Sequence, residues 1–148
     1  MAKRVDPCRK SVKEILEDLR GGHREAALLG PAAAAKYLQR TLEAHQNYPS
    51  AVRTAAYDLL AEAQAQLADW EGCAASVERA LAHLEYARAE FPHGFRAMLE
   101  GLTCFERGIQ AHGELGAYHA ALALAERAAA LDLGAHFQAK ADSLSWAR

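Results

Sequence analysis

Apolar residues recur at helical spacing in six or seven blocks, divided by brief glycine or proline signals and never by a stretch long enough to be a linker. Each block lays an apolar stripe along one helix face, and such stripes are stable only when buried against one another. Pro7 suits a first helical turn, and Val12, Ile15, Leu16 and Leu19 form the first stripe, which Gly21 and Gly22 are expected to end. After Gly30, Pro31 restarts a helix whose one face carries Ala34, Tyr37, Leu38, Leu42 and His45. Pro49 and Ser50 open a third block through Val52, Ala56, Leu59, Leu60, Ala63 and Leu67. Asp69 then caps a regular stripe from Trp70 through Cys73, Ala74, Val77, Leu81 and Leu84, ended by Phe91 and Pro92. Phe95, Met98, Leu99, Leu102, Phe105 and Ile109 are expected on a single fifth helix that stops near Gly113 and Gly116. The sixth block, Tyr118 to Leu131, is apolar on two sides and belongs between neighbours. A last helix with Phe137, Ala141, Leu144 and Trp146 would cover the open end, as terminal units of a stack do.

Composition agrees with helices. Alanine supplies 35 of 148 residues while Ile, Val and Thr are few, and alanine loses no side-chain entropy in a helix, so no strand is expected. At this length one domain spanning residues 1–148 is implied. Although 51% of residues are hydrophobic, no apolar run approaches the ~18 residues of a membrane span. The basic opening MAKRVDPCRK precedes no apolar stretch, so neither a secretory signal nor an anchor is expected, and a cytoplasmic location follows. Cys8, Cys73 and Cys104 are odd in number and widely spaced without a CxxC, which argues for reduced thiols rather than disulfides or zinc. Twelve arginines against five lysines, with the alanine excess, point to a GC-rich, bacterial genome.

Two stretches align without gaps, LADWEGCAASVERAL (Leu67 to Leu81) and LGAYHAALALAERAA (Leu115 to Ala129). Each has an aromatic just past a turn (Trp70, Tyr118), a small residue three further on (Cys73, Ala121) and an E-R-A triplet. This pattern resembles the tetratricopeptide repeat, in which small residues let the second helix of each pair pack closely on the first. LRGGHREA (Leu19 to Ala26) is a degenerate third copy on this reading, with Gly21 at the turn and Ala26 at the small position. The copies depart from the family in length: Cys73 and Ala121 are 48 residues apart against a repeat of roughly 34. Ala61 and Ile109 fall at the small position of the first helices, and Gln64 and His112 replace the usual aromatic. The resemblance implies an all-α fold, a right-handed stack of about seven antiparallel helices. Its clearest copies fall at about 50–91 and 93–133, with 134–148 as a capping helix.

The family also implies a function: binding of another protein or peptide, as an adaptor or regulatory scaffold, in a concave groove lined by the first helices, with no enzyme activity and no cofactor. Transferred residue by residue, the groove positions are Asp58, Glu62 and Gln66 in one pair and Glu106, Gln110 and Glu114 in the next. Four of these six are acidic, which suits a basic or amide-rich peptide, although carboxylates on solvated helix faces are ordinary. The seven histidines contain no HxxxH or HExxH, and the closest pair, His112 and His119, straddles a turn, so no metal is expected. Cys73 and Cys104 read as core. The alternative function is a small subunit of a nucleic-acid-binding complex, because Lys3, Arg4, Arg9, Lys10 and Lys13 crowd one end. Residues 14–148, however, carry 12 basic and 18 acidic side chains, and a body of that sign repels phosphate. A third alternative is a homodimer formed through an exposed Phe137 and Trp146.

Overall fold

The computed structural model describes residues 10–148. These form eight α-helices: α1 (Val12–Ala27), α2 (Pro31–Ala44), α3 (Ser50–Gln66), α4 (Trp70–Glu90), α5 (Phe95–Gly101), α6 (Cys104–Glu114), α7 (Tyr118–Ala130) and α8 (Ala135–Ser143). A single 3-10 turn, Ser145–Ala147, follows α8, and among the described residues there is no strand. The chain is all-α, as its alanine content implies. Among the described residues no helix is long and apolar enough to cross a membrane.

Side-chain chemistry sets most of the helix boundaries. Ser11 and Glu14 form a capping box at α1, with the Glu14 amide donating to Ser11 Oγ at 3.2 Å. Pro31 takes the first position of α2, where its missing N–H costs nothing, and Gly30 supplies the positive φ of 111° that turns the chain into it. Asp69 caps α4 by accepting the Gly72 amide at 3.1 Å. The α3 N-terminus, which opens after Pro49, is capped from a distance: the Ser50 amide donates to both carboxylate oxygens of Glu90, at 3.0 and 3.1 Å, from the last residue of α4.

Two boundaries correct the sequence reading. α1 does not stop at Gly21 and Gly22 but runs on to Ala27. Gly22 is where α1 meets α2: a Cβ there would lie 2.1 Å from Tyr37 Oη, so this glycine serves packing rather than termination. Gly21 therefore lies inside a helix, and LRGGHREA is no helix-turn-helix copy; the turn comes at Leu28–Gly30. The expected fifth helix is two, α5 and α6, broken at Leu102 and Thr103. The break is held open by Asp58 of α3, whose carboxylate accepts the amides of Thr103 at 2.8 Å and Cys104 at 2.6 Å.

The core has two parts. One is built from Leu16, Leu19, Leu38, Val52 and Leu60 of α1 to α3. The other joins Val77, Leu81 and Leu84 of α4 to Leu99, Phe105, Leu122 and Phe137. Tyr57 and Phe91 pack against both. Helix α3 sits at the centre, touching α2, α4 and α6 as well as α1, while α6 also packs on α4 and α7, and α7 on α8. Small residues make these approaches close. Gly108 of α6 stands between α4 and α7, where a Cβ would fall 2.5 Å from Leu124 Cδ1 and 2.8 Å from Val77 Cγ1. Cys73 is fully buried, its Sγ 3.7 Å from the Arg107 carbonyl oxygen.

Candidate partner-binding face

Helices α3 and α6 touch, and α8 reaches α6 through Phe137 against Phe105, with ring centroids 6.4 Å apart. This arrangement decides the fate of the six groove positions. Glu62 of α3 and Arg107 of α6 form an ion pair across the junction, with Arg107 Nη2 also donating to Glu62 Oε1 at 3.2 Å. Both are partly buried, and the hydrogen bond to Glu62 is the main cause raising the Arg107 pKa. Gln66 extends the cluster by donating to Glu62 Oε1 at 3.4 Å, and Gln110 by accepting from Arg107 Nη1 at 3.1 Å. Glu62, Gln66 and Gln110 are thus brought together on one face.

Glu106, Gln110 and Glu114 follow one another along the exposed face of α6. With Ile109 and Gly113 they form one wall of an open cleft of about 540 Å³, whose other wall is His136, Phe137 and Lys140 of α8. His136 Nε2 lies 3.1 Å from Glu106 Oε1, an ion pair whenever the imidazole is protonated. The floor is apolar, from Ile109 and Phe137, and the rim carries both signs of charge.

Asp58 is not part of this face. It is buried, 6% exposed, and spends its carboxylate on the α6 N-terminus, where unsatisfied amides and the helix dipole favour an anion. Burial pushes its pKa up to about 6; the two amide bonds pull the other way without overcoming it. Transfer of the family's groove positions put Asp58 in the groove, but the structure aims it at the chain break before α6. The expectation of an acidic groove is corrected with it. Arg107 answers Glu62, and Lys140 and His136 stand opposite Glu106 and Glu114, so the face is of mixed charge.

Arg107, His136 and Lys140 were missed because nothing local marks them. Arg107 is one residue past Glu106, yet it reaches 45 residues back to Glu62, a contact that depends on how α6 is set against α3. Phe137 is buried at 5% exposure rather than presented for self-association. Trp146 is exposed, leaning on Tyr118 with ring centroids 5.2 Å apart. His112 and His119 do not converge: the first is half-buried in the last turn of α6, and the second lies 3.4 Å from the Ala147 carbonyl oxygen. No group of three His, Cys, Asp or Glu able to hold a metal lies among the described residues. Of the basic cluster, Lys3, Arg4 and Arg9 lie outside the described residues, and Lys10 pairs with Asp18.

The chain matches no protein-family model, no curated protein and no solved structure.

Proposed function

We propose that the chain is a tetratricopeptide-like interaction module that binds a segment of another protein along the α3, α6 and α8 face. The observation that carries this reading is the cleft between α6 and α8. It has an apolar floor of Ile109 and Phe137, and Glu106, Gln110, Glu114, His136 and Lys140 are placed around it. A rim of amides and opposite charges over an apolar floor suits an extended peptide, whose backbone needs both donors and acceptors and whose side chains need pockets. The Glu62–Arg107–Gln110 cluster continues the same face onto α3.

Support for the repeat-like reading comes from equivalent positions. The third residue after the start of α2, α4 and α7 is Ala34, Cys73 and Ala121, all buried. Four further on come Leu38, Val77 and Ala125, also buried. The first helices α1, α3 and α6 touch in succession, which is what lining a common groove requires. The adaptor or scaffold role, the cytoplasmic location and the absence of catalysis belong to this proposal; the two free buried thiols, Cys73 and Cys104, fit a reducing compartment.

The test is affinity capture from lysate of the source cells, with wild type beside a Glu106→Lys, Glu114→Lys double variant, before and after nuclease treatment. Both glutamates are exposed, so helicity should be unchanged, and loss of the exposed Glu106–His136 pair should lower the melting temperature only slightly. A protein captured by wild type, resistant to nuclease and lost with the double variant, supports the proposal. Equal capture by both proteins rejects this face, and a nuclease-sensitive catch favours nucleic acid.

A further inference from the structure

A second cleft, of about 460 Å³, opens between α2, α3 and α4. Gln64 and Tyr57 of α3 reach it, whereas the proposed partner face uses Glu62 and Gln66; two residues along a helix is a turn of about 200°, so the two sites lie on opposite sides of α3. The cleft has room because three of the four α4 residues that line it are small, Gly72, Ala75 and Ser76.

Its floor includes Gln64, a largely buried residue whose amide nitrogen stays accessible. Gln64 is 7% exposed, and its Oε1 accepts from Ser76 Oγ at 2.6 Å. Its Nε2 donates to nothing among the described residues, and a Cβ on Gly72 would lie 2.8 Å from that nitrogen, so bare backbone is needed beside it. No buried side-chain nitrogen among the described residues lacks a partner, so this donor is one that solvent reaches, and it lines an opening large enough for a small ligand.

The walls carry opposite charges. Glu43 projects from α2 and Arg79 from α4, and among the described residues neither forms an ion pair. The Arg79 guanidinium carbon stands 5.9 Å from the centroid of the Tyr57 ring, and Leu42 and Leu60 complete an apolar wall. A ligand that satisfies all of these at once carries a carboxylate, an ammonium and a modest apolar side chain.

We propose that this cleft binds a free α-amino acid, its carboxylate held by Arg79 and the Gln64 amide, its ammonium by Glu43, and its side chain against Leu42, Leu60 and Tyr57. The site is independent of the partner face and makes the module a candidate sensor of a small metabolite.

The experiment is a titration of the ¹⁵N-labelled full chain with L-leucine as probe, beside L-leucinamide, which lacks the carboxylate, and N-acetyl-L-leucine, which lacks the ammonium. Two surface variants, Arg79→Gln and Glu43→Gln, are titrated in parallel; neither removes an ion pair among the described residues, so both should keep the wild-type melting temperature. L-leucine should shift the backbone amides of Gly72 and Ser76 and the side-chain amide of Gln64 with a dissociation constant near ~1 mM, a typical strength for a ligand of this size. Each analogue and each variant should weaken binding at least about tenfold, roughly one charged contact's worth. Amides that stay still with L-leucine at about 10 mM, tenfold above that constant, would overturn the assignment. So would shifts that are equal for all three probes or unaffected by Arg79→Gln.

Discussion

Asp58 is the residue through which α3 organises the second half of the molecule, and its replacement has a calculable cost. In the native state it accepts two backbone amides at the start of α6, Thr103 at 2.8 Å and Cys104 at 2.6 Å. Asp58→Ala leaves both donors at a helix start without their acceptor, a loss of about 1–3 kcal/mol by comparison with helix caps and buried unpaired donors. Asp58→Asn keeps an acceptor oxygen and removes the titration. Because burial raises the native pKa from the ordinary 3.8 to about 6, native Asp58 holds its proton to higher pH than unfolded Asp58 does. Its contribution to stability is therefore complete below about pH 4 and is lost as pH rises through 6. The displacement is worth about 3 kcal/mol in full, of which about 2 kcal/mol falls between pH 4.5 and 7.5. Urea unfolding of wild type and Asp58→Asn across that range is the assay. The stability difference, wild type minus Asn, should decline by about 2 kcal/mol as pH rises. Parallel pH profiles for the two proteins would refute the burial argument, and Asp58→Ala as stable as Asp58→Asn would refute the capping argument.

Gly108→Ala places a Cβ 2.5 Å from Leu124 Cδ1 and 2.8 Å from Val77 Cγ1, and thermal melting should show a loss of about 1–3 kcal/mol from overpacking at the meeting of α4, α6 and α7; an unchanged midpoint would mean the helices are not that close. Cys73→Arg should abolish cooperative unfolding, since the site is fully buried and an unpaired charge there has no partner; a retained melting transition would undo the packing assigned to α4. Burial pushes the Cys73 thiol up to about 11 and raises that of Cys104 further, so neither should react with iodoacetamide at pH 8 until urea unfolds the chain; rapid native labelling of either would contradict its burial. Phe137→Ala should cost about 3 kcal/mol in urea unfolding, through loss of its edge-on contact with Phe105; a cost below about 1 kcal/mol would place Phe137 at the surface instead.

Much of the fold was legible because local chemistry wrote it. Pro31 after Gly30 and Asp69 before Trp70 are local start signals, and the structure uses both; the Ser11–Glu14 capping box is equally local but was passed over for Pro7, which lies outside the described residues. The stripe Cys73, Ala74, Val77, Leu81, Leu84 is buried throughout, because a period of 3.6 leaves little doubt about which face is inside. What failed was non-local. Gly22 looked like a stop, yet the reason for it is Tyr37 on the neighbouring helix. The α5–α6 break is held by Asp58, 45 residues away, and its one local signal, Gly101 at the end of α5, was passed over for the apolar period that runs across it. Ala34, buried three residues after Pro31, could have been found from that proline had Gly21 not been taken as the turn. Of the six residues expected to line a groove, Asp58 is buried against α6, and the other five lie on the surface of α3 and α6. Charge pairing across α3 and α6 could not be assigned without knowing that the two helices touch.

The central claim is that a partner lies along the cleft between α6 and α8. It is tested most directly by placing a photoreactive amino acid at Glu114, on the cleft rim, and in a second protein at Glu25, on the exposed face of α1, then irradiating each in lysate of the source cells. The account predicts a covalent adduct with a different polypeptide from position 114 and none of that mass from position 25. The same adduct from both positions, or from position 114 only adducts with a second copy of the chain, would contradict it.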